Sequence, residues 1–276
     1  HYEPAASWSI VLRSFHTPKI IFTATPYRND LKFFDIDLNH VYSYTFHQAL
    51  EDGFLRDVEI MPQEPTRDPN RFVSDLLAFY DKKFPEGKGD KPRVIIRCDR
   101  EDEIRKIAAI LKKHKRDYVA IHEGFSDKTK KSKERKTVPD PSKEPATFWI
   151  HQFKLMEGID DNRFQVLALF DPLQNARSLV QQIGRIIRNP GRKPGSKGYV
   201  LDHSPSGQQL QFWMGYLKYD QAIREHGEKA LNLAIGTSWL TNLFQSQPIC
   251  SYMGDRFRVP LDLEDLNPEQ DIVLPR

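Results

Sequence analysis

Residues 166–188 read VLALFDPLQNARSLVQQIGRIIR, and the reading of this stretch decides the fold. It opens on an apolar run at 166–170, short enough for a strand buried on both faces. A polar, proline-containing link follows. From 178 to 188, Leu179, Val180, Ile183, Ile186 and Ile187 then fall three and four apart, the spacing by which a helix covers one face of a sheet. Strand, link and helix in that order form the unit from which parallel sheets are built.

The unit recurs along the chain. Further short apolar runs stand at 19–23 (KIIFT), 58–61, 93–97 (RVIIR), 118–121, 147–151 (TFWIH) and 198–201 (GYVL), and helical spacing fills 71–84 and 101–114. Proline and glycine mark the breaks at 62–69, 85–92, 139–145 and 189–198. The pattern predicts an α/β protein with a parallel sheet and helices on both faces. Residues 1–55 hold too few elements for a closed core and read as the end of a preceding domain. Residues 56–204 form the main unit. Residues 205–276 begin with a long helical stretch at about 208–235 and read as a C-terminal extension. The chain starts at His1 rather than Met, so further sequence is expected before it.

Composition places the chain among folded globular proteins, with 39% hydrophobic and 29% charged residues, and excludes disordered and fibrous classes. No run nears the roughly 18 apolar residues of a membrane span, and the N-terminus has no signal pattern. Cys98 and Cys250 lie far apart in no metal-ligand spacing, which argues against a disulfide frame or zinc site and suits a reducing cytoplasm. The net charge is +3, a weak pointer to nucleic acid by itself. Its distribution says more. Residues 128–136 read KTKKSKERK, six basic side chains with one acidic, and Lys130 and Lys131 at its centre suit a phosphate backbone. The plainer reading is a solvated, mobile loop over 126–145.

The chemistry concentrates in Gln181-Gln-Ile-Gly-Arg-Ile-Ile-Arg188. Arg185 and Arg188 are three apart and can point from one helix face at one target, and Gly184 permits close approach of a phosphate or another backbone. This segment resembles motif VI of helicase superfamily 2, Q-x-x-G-R-x-x-R. HQFKLMEGID, ending at Asp160, resembles motif V, and Thr23-Ala24-Thr25-Pro26 after the strand at 19–23 resembles motif III. His1 stands where an Asp-Glu-x-His box would end, residues 93–97 occupy the place of motif IV, and residues 44–57 resemble the crossing segment of restriction-type translocases.

The resemblance covers about residues 1–203 and implies a RecA-like second motor domain with a remnant of the first. It implies that Arg185, Arg188 and Gln181 act in ATP hydrolysis, and that Gly158, Asp160 and His1 border the nucleotide. It assigns Thr23 and Thr25 to coupling, and Gln152 and Arg97 to the nucleic-acid track. The motifs are expected at strand ends on one side of the sheet. The substrates implied are ATP with Mg²⁺, and DNA, with RNA a second choice. The motor role belongs to restriction or antiviral defence if the restriction-type branch applies, with a nuclease as partner.

No G-x-x-x-x-G-K-[ST] loop is present, and neither Gly87-Lys88 nor residues 195–198 (GSKG) has its spacing. The P-loop and the magnesium ligands are therefore expected in a domain before His1, and the 276 residues alone are expected to be inactive as an ATPase. The alternative is a nucleic-acid-binding or scaffolding module that keeps the fold without catalysis. No nuclease signature is found. Trp213, Tyr216, Tyr219 and Trp239 could stack on bases, although aromatics at such spacing more often fill a core.

Overall fold

The computed structural model describes residues 42–85, 91–126, 133–155, 159–204 and 207–227, together with Thr17, Ile20 and Phe22. The described elements are α1 (Phe46–Glu51), β1 (Asp57–Pro62), α2 (Pro69–Lys83), β2 (Arg93–Arg97), α3 (Glu101–Lys113), β3 (Tyr118–Ile121), β4 (Glu134–Arg135), β5 (Phe148–His151), β6 (Phe164–Leu169), α4 (Ala176–Ile186), β7 (Lys197–Asp202) and α5 (Gln208–His226). The seven strands form one sheet in the order β1-β7-β6-β2-β5-β3-β4. Every pairing is parallel.

The central strand β2 is buried along its whole length because both of its faces carry apolar side chains. Ile95 lies level with Trp149 on β5 and Leu167 on β6. Side chains alternate across a strand, so Ile95, Trp149 and Leu167 enter one core while Val94, Ile96, Ile150 and Ala168 enter the other. The first core is closed by Leu179 and Ile183 of α4 and by Phe212, Trp213 and Tyr219 of α5. The second is closed by Phe72 and Leu76 of α2 and by Ile104, Ile107 and Leu111 of α3. Helices thus cover both faces, and each fully buried aliphatic side chain contributes about 1.5–3 kcal/mol of transfer free energy.

The helix boundaries follow local chemistry. Asp68 caps α2 by accepting from the Asn70 amide, and Pro69 fills the first helical position, where no amide is needed. Asn175 caps α4 by accepting from the Ser178 amide at 2.8 Å. Thr45 and Gln48 form a reciprocal capping box at the start of α1.

Two expectations are corrected here. Helix α4 ends at Ile186, so Arg188 lies beyond the helix and forms an antiparallel bridge with Leu55. Part of the basic run is not a free loop. Glu134 and Arg135 form β4 and pair with Ala120 and Ile121 at the sheet edge. A two-residue polar strand offers no apolar alternation, which is why the sequence pattern does not disclose it.

Helix α5 packs into the first core. Trp213 meets Phe46 edge to face at 5.3 Å and stacks on Tyr216 at 5.1 Å. Gln209 donates to the Leu173 carbonyl at 2.9 Å. The Asp220 carboxylate accepts from the backbone amides of Phe46 and His47 at 2.7 and 3.0 Å, so an acid of α5 serves the N-terminus of α1. The aromatics of this helix fill a core, and Trp239 lies outside the described residues.

Candidate functional site

Parallel strands give the sheet two unlike edges. At the edge where the strands begin, the chain from Ile159 to Arg163 enters β6, the turn at 52–56 enters β1, and the end of α4 runs down beside both. Together they enclose a cleft of about 380 Å³ lined by Phe54, Asp160, Asp161, Asn162, Arg188, Asn189 and Pro190.

The two neighbouring aspartates divide the work. Asp161 is buried and forms an ion pair with Arg93 at 2.8 Å and with Arg163 at 2.9 Å. It holds the loop against β2. Asp160 is 85% exposed and pairs with Arg188, which is 33% exposed. Arg185 donates from Nη1 to the Ile159 carbonyl at 2.6 Å. The two arginines therefore converge on consecutive residues, although only one of them is helical.

The floor of the cleft is fixed by Arg56. Its guanidinium donates to the carbonyls of Asn162, Phe164 and Ile186 at 3.1, 3.0 and 3.2 Å. It satisfies carbonyls at the end of α4 and places positive charge at the negative end of that helix. Burial lowers the Arg56 and Arg188 guanidinium pKa values from their usual range, and both remain cations at neutral pH.

The opposite edge, where the strands end, carries Arg97 and Gln152. Strands of five to six residues separate the two edges by roughly 17–20 Å. The expectation that all motifs face one side of the sheet is thereby corrected. Helix α4 runs antiparallel to the strands, so it starts at one edge and delivers Arg188 to the other.

Arg97 is only 2% exposed and pairs with Asp99 at 2.5 Å, with Nε and Nη1 lacking hydrogen-bond partners. Gln152 is committed at both ends of its amide, to His122 Nε2 at 3.0 Å and to the Asp99 carbonyl. Contact of either side chain with a backbone phosphate requires these loops to open. The adjacent His151 is fully buried beside Arg97, and desolvation followed by that positive charge pushes its pKa down to about 3.

Gln181 lies half-buried on α4. Gly158, His1, Thr23, Thr25, Lys130 and Lys131 lie outside the described residues. Among the described residues, no group of three or more His, Cys, Asp or Glu side chains could hold a metal ion, and no helix is long and apolar enough to cross a membrane.

The sequence reading did not mark Phe54, Asn162 or Arg192 as site residues. Their only sequence signal is position in loops beside named motifs. It takes the fold to bring residues 54, 162 and 188 to one cleft.

The fold and this cleft define the chain as an α/β protein with a seven-stranded parallel sheet and an arginine–carboxylate pair at the edge where the strands begin. No family model and no curated protein matches it. Among solved structures it is similar to the ATP-dependent Type ISP restriction-modification enzyme LlaBIII bound to DNA. That match has 14% identity over 65% of this chain and 15% of the other, with a TM-score of 0.42. It is also similar to a fragment of a putative HsdR subunit of a type I restriction enzyme from Vibrio vulnificus, at 18% identity over 68% and 40% of the two chains, with a TM-score of 0.44. A third is a DEAD box protein from Methanococcus jannaschii, at 14% identity over 62% and 41%, with a TM-score of 0.40. The aligned region spans 15% to 41% of the length of these structures.

Proposed function

We propose that this chain carries the second motor domain of an ATP-driven DNA translocase or helicase of superfamily 2, and that the cleft at Arg188 is half of its ATP site. The observation that carries this reading is the convergence of Arg185 and Arg188 on Ile159 and Asp160. The segments that resemble motifs V and VI meet here, Arg185 at the Ile159 carbonyl and Arg188 at the Asp160 carboxylate. The chemistry present suits a nucleotide. Asp160 is an exposed carboxylate able to accept from ribose hydroxyls, and Arg188 is a partly exposed cation of the kind that binds phosphate.

In this reading the P-loop domain closes on the cleft, and Arg188 leaves Asp160 to meet charge developing on the transferring phosphoryl group. Such an arginine contributes on the order of 10³ to 10⁵ in rate. ATP and Mg²⁺ are held mainly by the preceding domain, and the DNA track runs along the opposite edge near Arg97 and Gln152. A role in restriction or defence, with a nuclease partner, belongs to the same proposal.

The test is Arg188→Ala in the protein carrying its P-loop domain. Hydrolysis should fall by at least 10³ while nucleic-acid binding stays nearly intact. Unchanged hydrolysis rejects the arginine-finger role. The 276 residues alone should show no DNA-stimulated ATPase, and turnover lost with Arg188→Ala in that piece would overturn the half-site. Comparing stimulation by duplex DNA, single-stranded DNA and RNA identifies the track.

A further inference from the structure

The ends of α2 and α3 carry positive charge that neither the motif reading nor the cleft uses. Both helices run back against the strands, so α2 ends at Lys83 before β2 and α3 ends at Lys113 before β3, at the edge where the strands begin. An ion pair between Arg116 and Asp81 ties the two ends together. Residues 112–116 read KKHKR, four permanent cations around one histidine, and Lys82 and Lys83 close α2. Lys82, Lys83, Lys112, Lys113 and Lys115 are all exposed, and among the described residues none of them pairs with a carboxylate.

Charge at the other end of α3 is balanced. Arg105 pairs with Glu101 at 2.8 Å and with Glu134 at 2.7 Å, and Lys106 pairs with Asp102 at 2.9 Å. Cations in the last turn of a helix offset its dipole, which accounts for part of the asymmetry. It does not account for Lys115. That residue sits past the helix at φ +54°, in a turn closed by the Lys115 amide on the Lys112 carbonyl and the Arg116 amide on the Leu111 carbonyl, each at 2.9 Å. This is the left-handed helix stop at which glycine is favoured. A lysine there costs stability and adds a charge.

Such a surface fits a phosphate backbone better than a protein. Protein interfaces are depleted in lysine and built around aromatic or aliphatic anchors. Among the described residues, no exposed large hydrophobic side chain lies on these two helix ends. Lysines act as flexible point charges, which suits a polyanion met in any register. The patch lies at the opposite end of the strands from Arg97 and Gln152, so it is separate from the track proposed there.

We propose that the ends of α2 and α3, through Lys82, Lys112, Lys113 and Lys115, form a second, sequence-independent phosphate-binding surface that holds duplex DNA outside the track. The reading of the chain as part of a DNA motor supplies only the identity of the nucleic acid. Contact here requires no nucleotide.

The test uses the protein with its P-loop domain and a duplex of about 40 base pairs, with binding followed by fluorescence anisotropy between about 50 and 200 mM salt. Each phosphate contact contributes about 0.9 to the slope of log affinity against log salt. Lys112→Gln, Lys113→Gln and Lys115→Gln combined should make the slope shallower by about 2–3 and weaken binding about tenfold or more at the lowest salt. Arginine at the same three positions should keep both values. Lys106→Gln, on the balanced half of α3, should change neither. Lys115→Gly should raise the melting temperature while the slope falls by about 1, an outcome that a merely structural lysine would not give. An unchanged slope in the folded triple variant overturns the surface. So does loss of poly-glutamate binding with the DNA slope intact, which would assign the patch to an acidic polypeptide. If the slope is unchanged while Arg188→Ala still abolishes hydrolysis, the motor reading stands without this surface. A shallower slope alongside full hydrolysis in Arg188→Ala removes the arginine finger and leaves the surface standing.

Discussion

Arg188 and Asp160 form an ion pair at the mouth of the cleft, between one side chain 33% exposed and another 85% exposed. A pair this open to water contributes only about 0–1 kcal/mol. So weak a pair orients the arginine without preventing it from taking another partner.

Asp160→Ala should therefore leave stability within about 0.5 kcal/mol of the parent, as surface substitutions usually do. If Asp160 holds the nucleotide ribose, the variant should raise KM for ATP about tenfold and change kcat much less, because the lost contact is made in ground and transition states alike. A large fall in kcat at unchanged KM would instead give Asp160 a task in hydrolysis.

Gly184 separates function from packing. A Cβ built there meets nothing within 4 Å, and the residue lies inside α4. Gly184→Ala should keep or raise stability, by up to about 1 kcal/mol from helix propensity. If the open space receives a phosphate or the facing motor domain, the same variant should lower ATPase activity. Gly198 is the contrast, since its Cβ would meet the Ile186 carbonyl oxygen at 3.1 Å. Gly198→Ala should cost about 1–3 kcal/mol by overpacking, read from urea denaturation.

Much of the fold was legible in the sequence because its strands are buried on both faces. Residues 93–97 and 118–121 stood out as apolar runs and are strands with those bounds. The polar β4 had no such signal, and the end of α4 was misplaced because Ile187 and Arg188 continue the helical spacing past the point where the chain turns to meet Leu55. Within the site, Asp160 and Arg188 were both marked in the sequence by resemblance, and the fold pairs them. Phe54 was not marked, since nothing local distinguishes it from the other sixteen phenylalanines of the seventeen. Nor could spacing show that Asp160 would be exposed and Asp161 buried, because Arg93, far away in sequence, makes that choice.

Two buried histidines set a pH limit on the domain. Desolvation pushes His151 to about 3, helped by the Arg97 charge, and pushes His203 to about 4 against the opposing pull of Asp75. Both are neutral in the fold, while their unfolded forms take up a proton near pH 6.5. The unfolded state binds more protons below that value, so stability is fully present above about 6.5 and falls as pH drops, by about 1.4 kcal/mol per histidine per pH unit. Burial raises the Asp202 and Glu103 pKa values, which works in the opposite direction but only as pH approaches the carboxylate range. The urea midpoint should therefore drop between pH 6.5 and 5.5. A flat profile over that interval would show that the histidines are hydrated.

Asp220 offers the sharpest test of how the segment before β1 is held. Its carboxylate accepts from the amides of Phe46 and His47 and lies 2.5 Å from His47 Nδ1, while it is only 5% exposed. Hydrogen bonds to a charged acceptor contribute about 1.5–3 kcal/mol, and buried amides left without a partner incur a further desolvation cost. Asp220→Ala should destabilise the domain by about 2–4 kcal/mol, and Asp220→Asn by less, because its amide oxygen can still accept one of the bonds. The loss should concentrate in α1. Amide hydrogen exchange at Phe46 and His47 should accelerate far more than exchange in β2 or β6, where the backbone pairs with strands on both sides. Arg224→Ala, which removes a partly exposed pair with Glu51 on the same two helices, should cost under about 1 kcal/mol. If Arg224→Ala proves the more damaging, α1 is held by surface charge rather than by the buried acid at its N-terminus.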